Sequence, residues 1–170
     1  MDFEDETWHE ATEEGSDELL SQDDLRLPAG ASILVQLHAT RAWLARRLEE
    51  IRLQVGETAL DLQVVMRAES QETRPRRHER ERQVRQQLHV QQALIETQER
   101  LDAYEEAQTL LEEYIAHTSG QRVLVEYYLA LEELLLSDPT TQWPAEKTPR
   151  MQALAEVQQH IERLSTPDVE

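Results

Sequence analysis

Between Leu34 and Val65 apolar residues recur at alternating spacings of three and four, and this seam constrains the fold more than any other feature of the chain. Leu34, Arg41, Leu48, Val55 and Leu62 occupy one heptad position. Leu37, Leu44, Ile51, Thr58 and Val65 occupy the other, through five heptads with only Arg41 and Thr58 polar. A helix that keeps such a repeat presents one narrow apolar stripe and needs a second helix along it. Arg47, Glu49, Glu50 and Arg52 stand off the stripe as charged flanks. A second register follows at Val90, Leu94, Thr97, Leu101, Tyr104, Gln108, Leu111 and Ile115, with a more polar core.

The six prolines, at 28, 75, 139, 144, 149 and 167, fall where these patterns start or stop. Proline disrupts a helix interior and restricts the residue before it. Four helical segments remain, about 29–72, 77–118, 121–137 and 149–164. The first two would each be roughly 60–65 Å long at ~1.5 Å per residue. Their matched lengths, and "SQETRPRR" between them, predict an antiparallel helical hairpin. Arg74 before Pro75 is pushed toward an extended conformation, which leaves Thr73 to cap the second helix. The competing geometry is one continuous kinked helix whose seam a second chain completes. Only four glycines and one phenylalanine appear, and no strand-like alternation runs far enough to matter.

The third segment, "GQRVLVEYYLALEELLLSD", is apolar around most of its circumference. Arg122, Glu126, Ala130 and Glu133 fill one arc, and ten apolar side chains fill nearly all the rest. Such a helix must be covered on more than one side. The last segment is its local cover: Thr148 reads as an N-cap with Pro149 at the first helical position, and Met151, Leu154, Val157, Ile161 and Leu164 make its stripe. That stripe is narrow, which leaves room for a second subunit or a partner on Tyr127, Tyr128, Leu131 and Leu135.

Charge is unevenly spread. Residues 1–24 hold eleven acids and no Lys or Arg, so they carry −11 of the net −18; the remaining 146 residues hold 24 acids and 17 bases, or −7. Residues 1–26 are therefore expected to be a disordered acidic tail, with Phe3 and Trp8, and Leu19, Leu20, Leu25 and Leu27, as apolar islands. The expected division is this tail, a hairpin plus apolar third helix over 27–137, a Pro-containing loop over 138–148, and a C-terminal helix with a short tail over 149–170. The expected fold class is all-α: a long, coiled-coil-like antiparallel hairpin followed by two shorter helices, behind the acidic tail. The start shows no secretory-signal pattern and no stretch approaches 18 apolar residues, so an intracellular, cytoplasmic soluble protein with no membrane span is expected.

The absence of cysteine excludes disulfides, thiolate chemistry and cysteine-ligated metals. The histidines, at 9, 38, 78, 89, 117 and 160, include no two that lie three or four apart, so no helix presents a two-histidine metal face. A glutamate three residues before a histidine, as di-iron bundles require, occurs only at Glu6–His9, inside the acidic tail. Glu113–His117 and Glu156–His160 read as surface pairs along a helix rather than ligands. There is no Gly-rich phosphate loop, GxSxG or HExxH. No catalytic, metal or cofactor site and no small-molecule substrate is expected, and the chain reads as non-enzymatic.

Six arginines, Arg74, Arg76, Arg77, Arg80, Arg82 and Arg85, crowd the start of the second helix. Glu79 and Glu81 interrupt them and no aromatics interleave, which disfavours nucleic acid as the partner. The readings open to the cluster are a solvated helix start or a docking patch for an acidic protein segment, the chain's own tail included. The expected function is a coiled-coil interaction protein, an adaptor or assembly subunit that binds a helical partner or itself. The expected partner-binding seam is Leu34, Leu37, Leu44, Leu48, Ile51, Val55, Leu62 and Val65. The alternative is a nucleic-acid-associated regulator that uses the arginine tip, with the acidic tail as internal competitor.

Overall fold

The computed structural model describes residues 32–71, 77–118, 120, 122–137 and 147–165. The acidic segment 1–26, Thr73, Arg74, Arg76 and most of the expected Pro-containing loop, residues 138–146, lie outside the described residues. Four helices make up nearly all that is described, with no strand among those residues: α1 (Ile33–Gln71), α2 (Arg77–His117), α3 (Arg122–Ser137) and α4 (Pro149–Ser165). These borders lie within one residue of the expected segments except at the start of α1, which was expected near residue 29 and is described from Ile33.

α1 and α2 form an antiparallel hairpin. Arg41 Nε meets Glu112 Oε1 at 2.7 Å and Arg52 meets Glu105 at 2.9 Å, so residues early in α1 face residues late in α2. The two helices pack along each other, which rules out the single kinked helix. Arg41, a polar seam member, lies on the surface and reaches out to this ion pair. Thr58, the other, returns its hydroxyl to the Gln54 carbonyl at 2.8 Å. Neither leaves a bare polar group in the interface.

Between α2 and α3 Gly120 is left-handed, with φ of 73°. That conformation crowds the Cβ of an L-residue, and glycine has none. Thr148 caps α4 as the sequence predicts: its Oγ1 accepts from the Met151 N–H at 3.2 Å, and its carbonyl accepts from the Gln152 N–H at 2.9 Å.

α2 and α4 are the central pair. Each packs against the other three helices, with α1 and α3 to either side. Tyr127 of α3 donates its hydroxyl to the Ala107 carbonyl of α2 at 2.9 Å. α4 returns along α1, where the Gln36 side chain donates to the Leu164 carbonyl at 3.3 Å and Arg47 pairs with Glu156.

The core lies at one end of the hairpin. It is built from Leu37, Leu44, Leu48 and Ile51 of α1, Leu101 to Leu111 of α2, Val123, Leu124, Tyr127 and Leu131 of α3, and Ala153, Leu154, Val157 and Ile161 of α4. Among the described residues, none of α1 after Ile51 and none of α2 before Leu101 is buried. There the hairpin continues as a two-helix stalk. Half-buried residues along it include Val55, Thr58, Leu62 and Val65 of α1 and Gln83, Gln87, Val90, Leu94 and Thr97 of α2. Leu34 departs from the expected seam and is 73% exposed. The antiparallel register places it beyond the end of α2, where no helix faces it.

Candidate interaction surfaces

The polar cluster at the waist of the bundle involves three helices. Arg47 of α1 donates to Glu50 and Glu156, each at 2.9 Å, and to the Tyr104 hydroxyl at 3.3 Å. The Tyr104 hydroxyl in turn donates to Glu156. Burial pushes the Tyr104 phenol up to about 12, and its bond to the Glu156 carboxylate pushes the same way. Trp43 stands edge-on to Tyr104 with centroids 6.3 Å apart and stacks on His160 at 4.4 Å, 9° from parallel. Burial holds the His160 imidazole down to about 4, with the Arg163 charge adding to the effect. His160 is therefore neutral at pH 7.

This arrangement corrects the reading of Glu156–His160 as a surface pair. Each residue turns instead to a partner on another helix. In the other pair, His117 Nδ1 contacts the Glu113 carbonyl oxygen at 2.8 Å rather than the carboxylate. The cluster fastens α1, α2 and α4 together: Arg47 bonds both carboxylates, and the phenol bonds Glu156. No group of three or more His, Cys, Asp or Glu placed to hold a metal occurs among the described residues. A shallow cleft between α2 and the start of α4, about 750 Å³ and lined by Ala93, Glu96, Thr97, Arg100 and Gln152, is crossed by the Arg100–Gln152 bond at 3.1 Å.

The residues expected to bind a partner fall into three groups. Leu37, Leu44, Leu48 and Ile51 of the seam, and Tyr127 and Leu131 of α3, are buried in the chain's own core. Val55, Leu62, Val65, Tyr128 and Leu135 are half-buried, and the Tyr128 hydroxyl donates to Glu162 at 2.5 Å. Arg77, Arg80, Arg82 and Arg85 are exposed, as Leu34 is. At ~100° per residue these four arginines spread around the first turns of α2 rather than along one face.

What the sequence reading missed lies on the outside. Three helices carry a second apolar stripe that is exposed and that no helix among the described residues covers: Leu53, Leu60 and Val64 on α1, Val84, Leu88 and Ile95 on α2, and Val125, Leu129 and Leu136 on α3. Each stripe fits one helix face with spacings of four, three and four, and one polar residue (Glu57, Gln91, Glu132) completes it. The spacing was legible, but the seam drew attention to the other face. α3 was expected to be covered on more than one side, and it packs on both α2 and α4, while Val125, Leu129 and Leu136 stay exposed.

No helix among the described residues is long and apolar enough to cross a membrane. The fold and its surfaces define an all-helical bundle with a projecting two-helix stalk. Comparison with protein-family models, with curated proteins and with solved structures gave no match.

Proposed function

We propose that this chain is a non-enzymatic helical interaction protein, an adaptor or a subunit of an assembly, that works by laying its open helix faces against another helix. The observation that carries this reading is the set of three uncovered stripes. Single exposed apolar residues are ordinary on a protein surface, whereas aligned ones on a helix mark a place for a second helix. The stalk adds support: with two helices only, it has no core of its own to require so much apolar surface. Since most of the heptad seam is occupied within the chain, the stripes and the exposed Leu34 are the surfaces offered. The arginine end lends less support to a nucleic-acid regulator, because its charges do not share one face and alternate with Glu79 and Glu81.

The test is capture with the full chain and two surface variants, Leu60→Glu with Val64→Glu, and Leu129→Glu. A helical protein, or the chain itself, should be recovered in stoichiometric amount and lost with at least one variant, while circular dichroism stays unchanged. Recovery of nothing stoichiometric, or of the same proteins by all three chains, would refute the reading.

A further inference from the structure

Spacings of four, three and four arise from any single helix face, so the apolar residues of the three stripes do not choose their own occupant. The α2 stripe differs in its flanks. The same face continues to Arg80 and Arg77 before Val84, and to Glu99 and Asp102 after Ile95, and all four charged residues are exposed. About the midpoint between His89 and Val90 these positions are symmetric: Arg77 mirrors Asp102, Arg80 mirrors Glu99, Val84 mirrors Ile95 and Leu88 mirrors Gln91. Both mirrored charge pairs are of opposite sign. A face with this pattern is complementary to itself when turned end for end, which is what a two-fold contact between identical chains requires. The α1 stripe offers one such pair, Glu50 with Arg67, where the α2 stripe offers two.

We infer that the back face of α2 is the site of a second copy of this chain, paired antiparallel about residues 89 and 90. The inference rests on the interaction reading above and names its partner. Residues 77–102 of the two copies overlap, about 39 Å of helix at ~1.5 Å per residue. Val84, Leu88 and Ile95 of each copy form the apolar centre, and Arg77–Asp102 and Arg80–Glu99 close both ends in the two directions. The buried residues Tyr104, Ala107 and Leu111 lie on the opposite side of α2, so the face is open without disturbing the core. Arg77 lies 3.4 Å from Glu81 and Gln98 donates to Asp102 at 2.8 Å, both pairs within one turn of the same helix. Two of the clustered arginines, Arg77 and Arg80, thus gain a role: they are the basic half of a face whose acidic half is its own complement.

The experiment is sedimentation equilibrium of the full chain and of two variants, Arg77→Glu/Arg80→Glu and Glu99→Arg/Asp102→Arg. Wild type should dimerise with a Kd on the order of 10–100 µM, as suits a short contact with six apolar side chains. Each variant alone should associate at least about tenfold more weakly, because like charges then meet at both ends. An equimolar mixture of the two should recover the dimer, since every mirrored pair is again opposite in sign. Circular dichroism of each variant serves as the folding control. A wild type that stays monomeric to about 200 µM, or a dimer indifferent to the reversals, overturns the inference. A monomeric wild type that still captures a stripe-dependent helical partner removes the self-contact and leaves the proposed function standing.

Discussion

Arg47 joins three helices through one guanidinium, with bonds to Glu50 on its own helix, Tyr104 on α2 and Glu156 on α4. Charge-assisted hydrogen bonds of this kind contribute more than neutral ones, and removal of one partner strands the others. Arg47→Met should therefore destabilise the bundle by about 2 kcal/mol, read as a lower urea midpoint at unchanged slope. A change under about 0.5 kcal/mol would show the cluster to be ordinary surface. His160 gives a second expectation with a definite sign. Its pKa is held at about 4 in the folded chain against the ordinary 6.5, so between those values the unfolded chain binds the proton and the folded one does not. Stability is then full above pH 6.5 and falls as the pH drops toward 4. His160→Phe keeps a ring on Trp43 and removes the titration, so its stability should fall less than that of wild type between pH 6.5 and 5. Parallel profiles would contradict this. The sequence could not reveal these contacts: Trp43 and His160 are 117 positions apart, and helical periodicity carries no information about such pairs.

The helices themselves were largely legible. Prolines and the heptad seam gave four helices, their order and close borders, because both signals act locally on the backbone. Which faces the helices cover was not legible, because that depends on how they assemble. α3 has apolar residues on nearly every side, and it packs chiefly on α2 and α4 while Val125, Leu129 and Leu136 remain exposed. Two glycines give opposite expectations. Gly56 lies inside α1 with nothing within 4 Å of an added Cβ, so Gly56→Ala should stabilise by about 0.5–1 kcal/mol. Gly120 has equal space but a φ of +73°, so Gly120→Ala should destabilise by about 1 kcal/mol. Thermal melts of the two variants should move in opposite directions, and a shift of the same sign in both would contradict the backbone argument. The stalk, which lacks buried residues among those described, should also exchange its amide hydrogens faster over 77–96 than α2 does over 101–111. Equal protection along α2 would mean that something already covers the stalk in solution.

The molecule as a whole is asymmetric along its axis. A four-helix core sits at one end, a bare stalk projects from it, and α2 runs from an arginine-rich start to an acidic end. A chain with one closed core has no folding requirement for apolar stripes on its outside, and the mirrored charges on α2 say which neighbour its stripe suits. Because the chain has no cysteine, single spin labels can be placed without background. Dipolar distances between labels on Gln92→Cys in one sample and His78→Cys in another distinguish the possible pairings. Antiparallel association about residues 89 and 90 should put the Gln92 labels about 10–15 Å apart and the His78 labels about 35–40 Å apart, from the ~1.5 Å rise and an interhelix distance near 10 Å. A His78 distance shorter than the Gln92 distance, or no dipolar coupling at either position at about 200 µM, would contradict a second copy on this face.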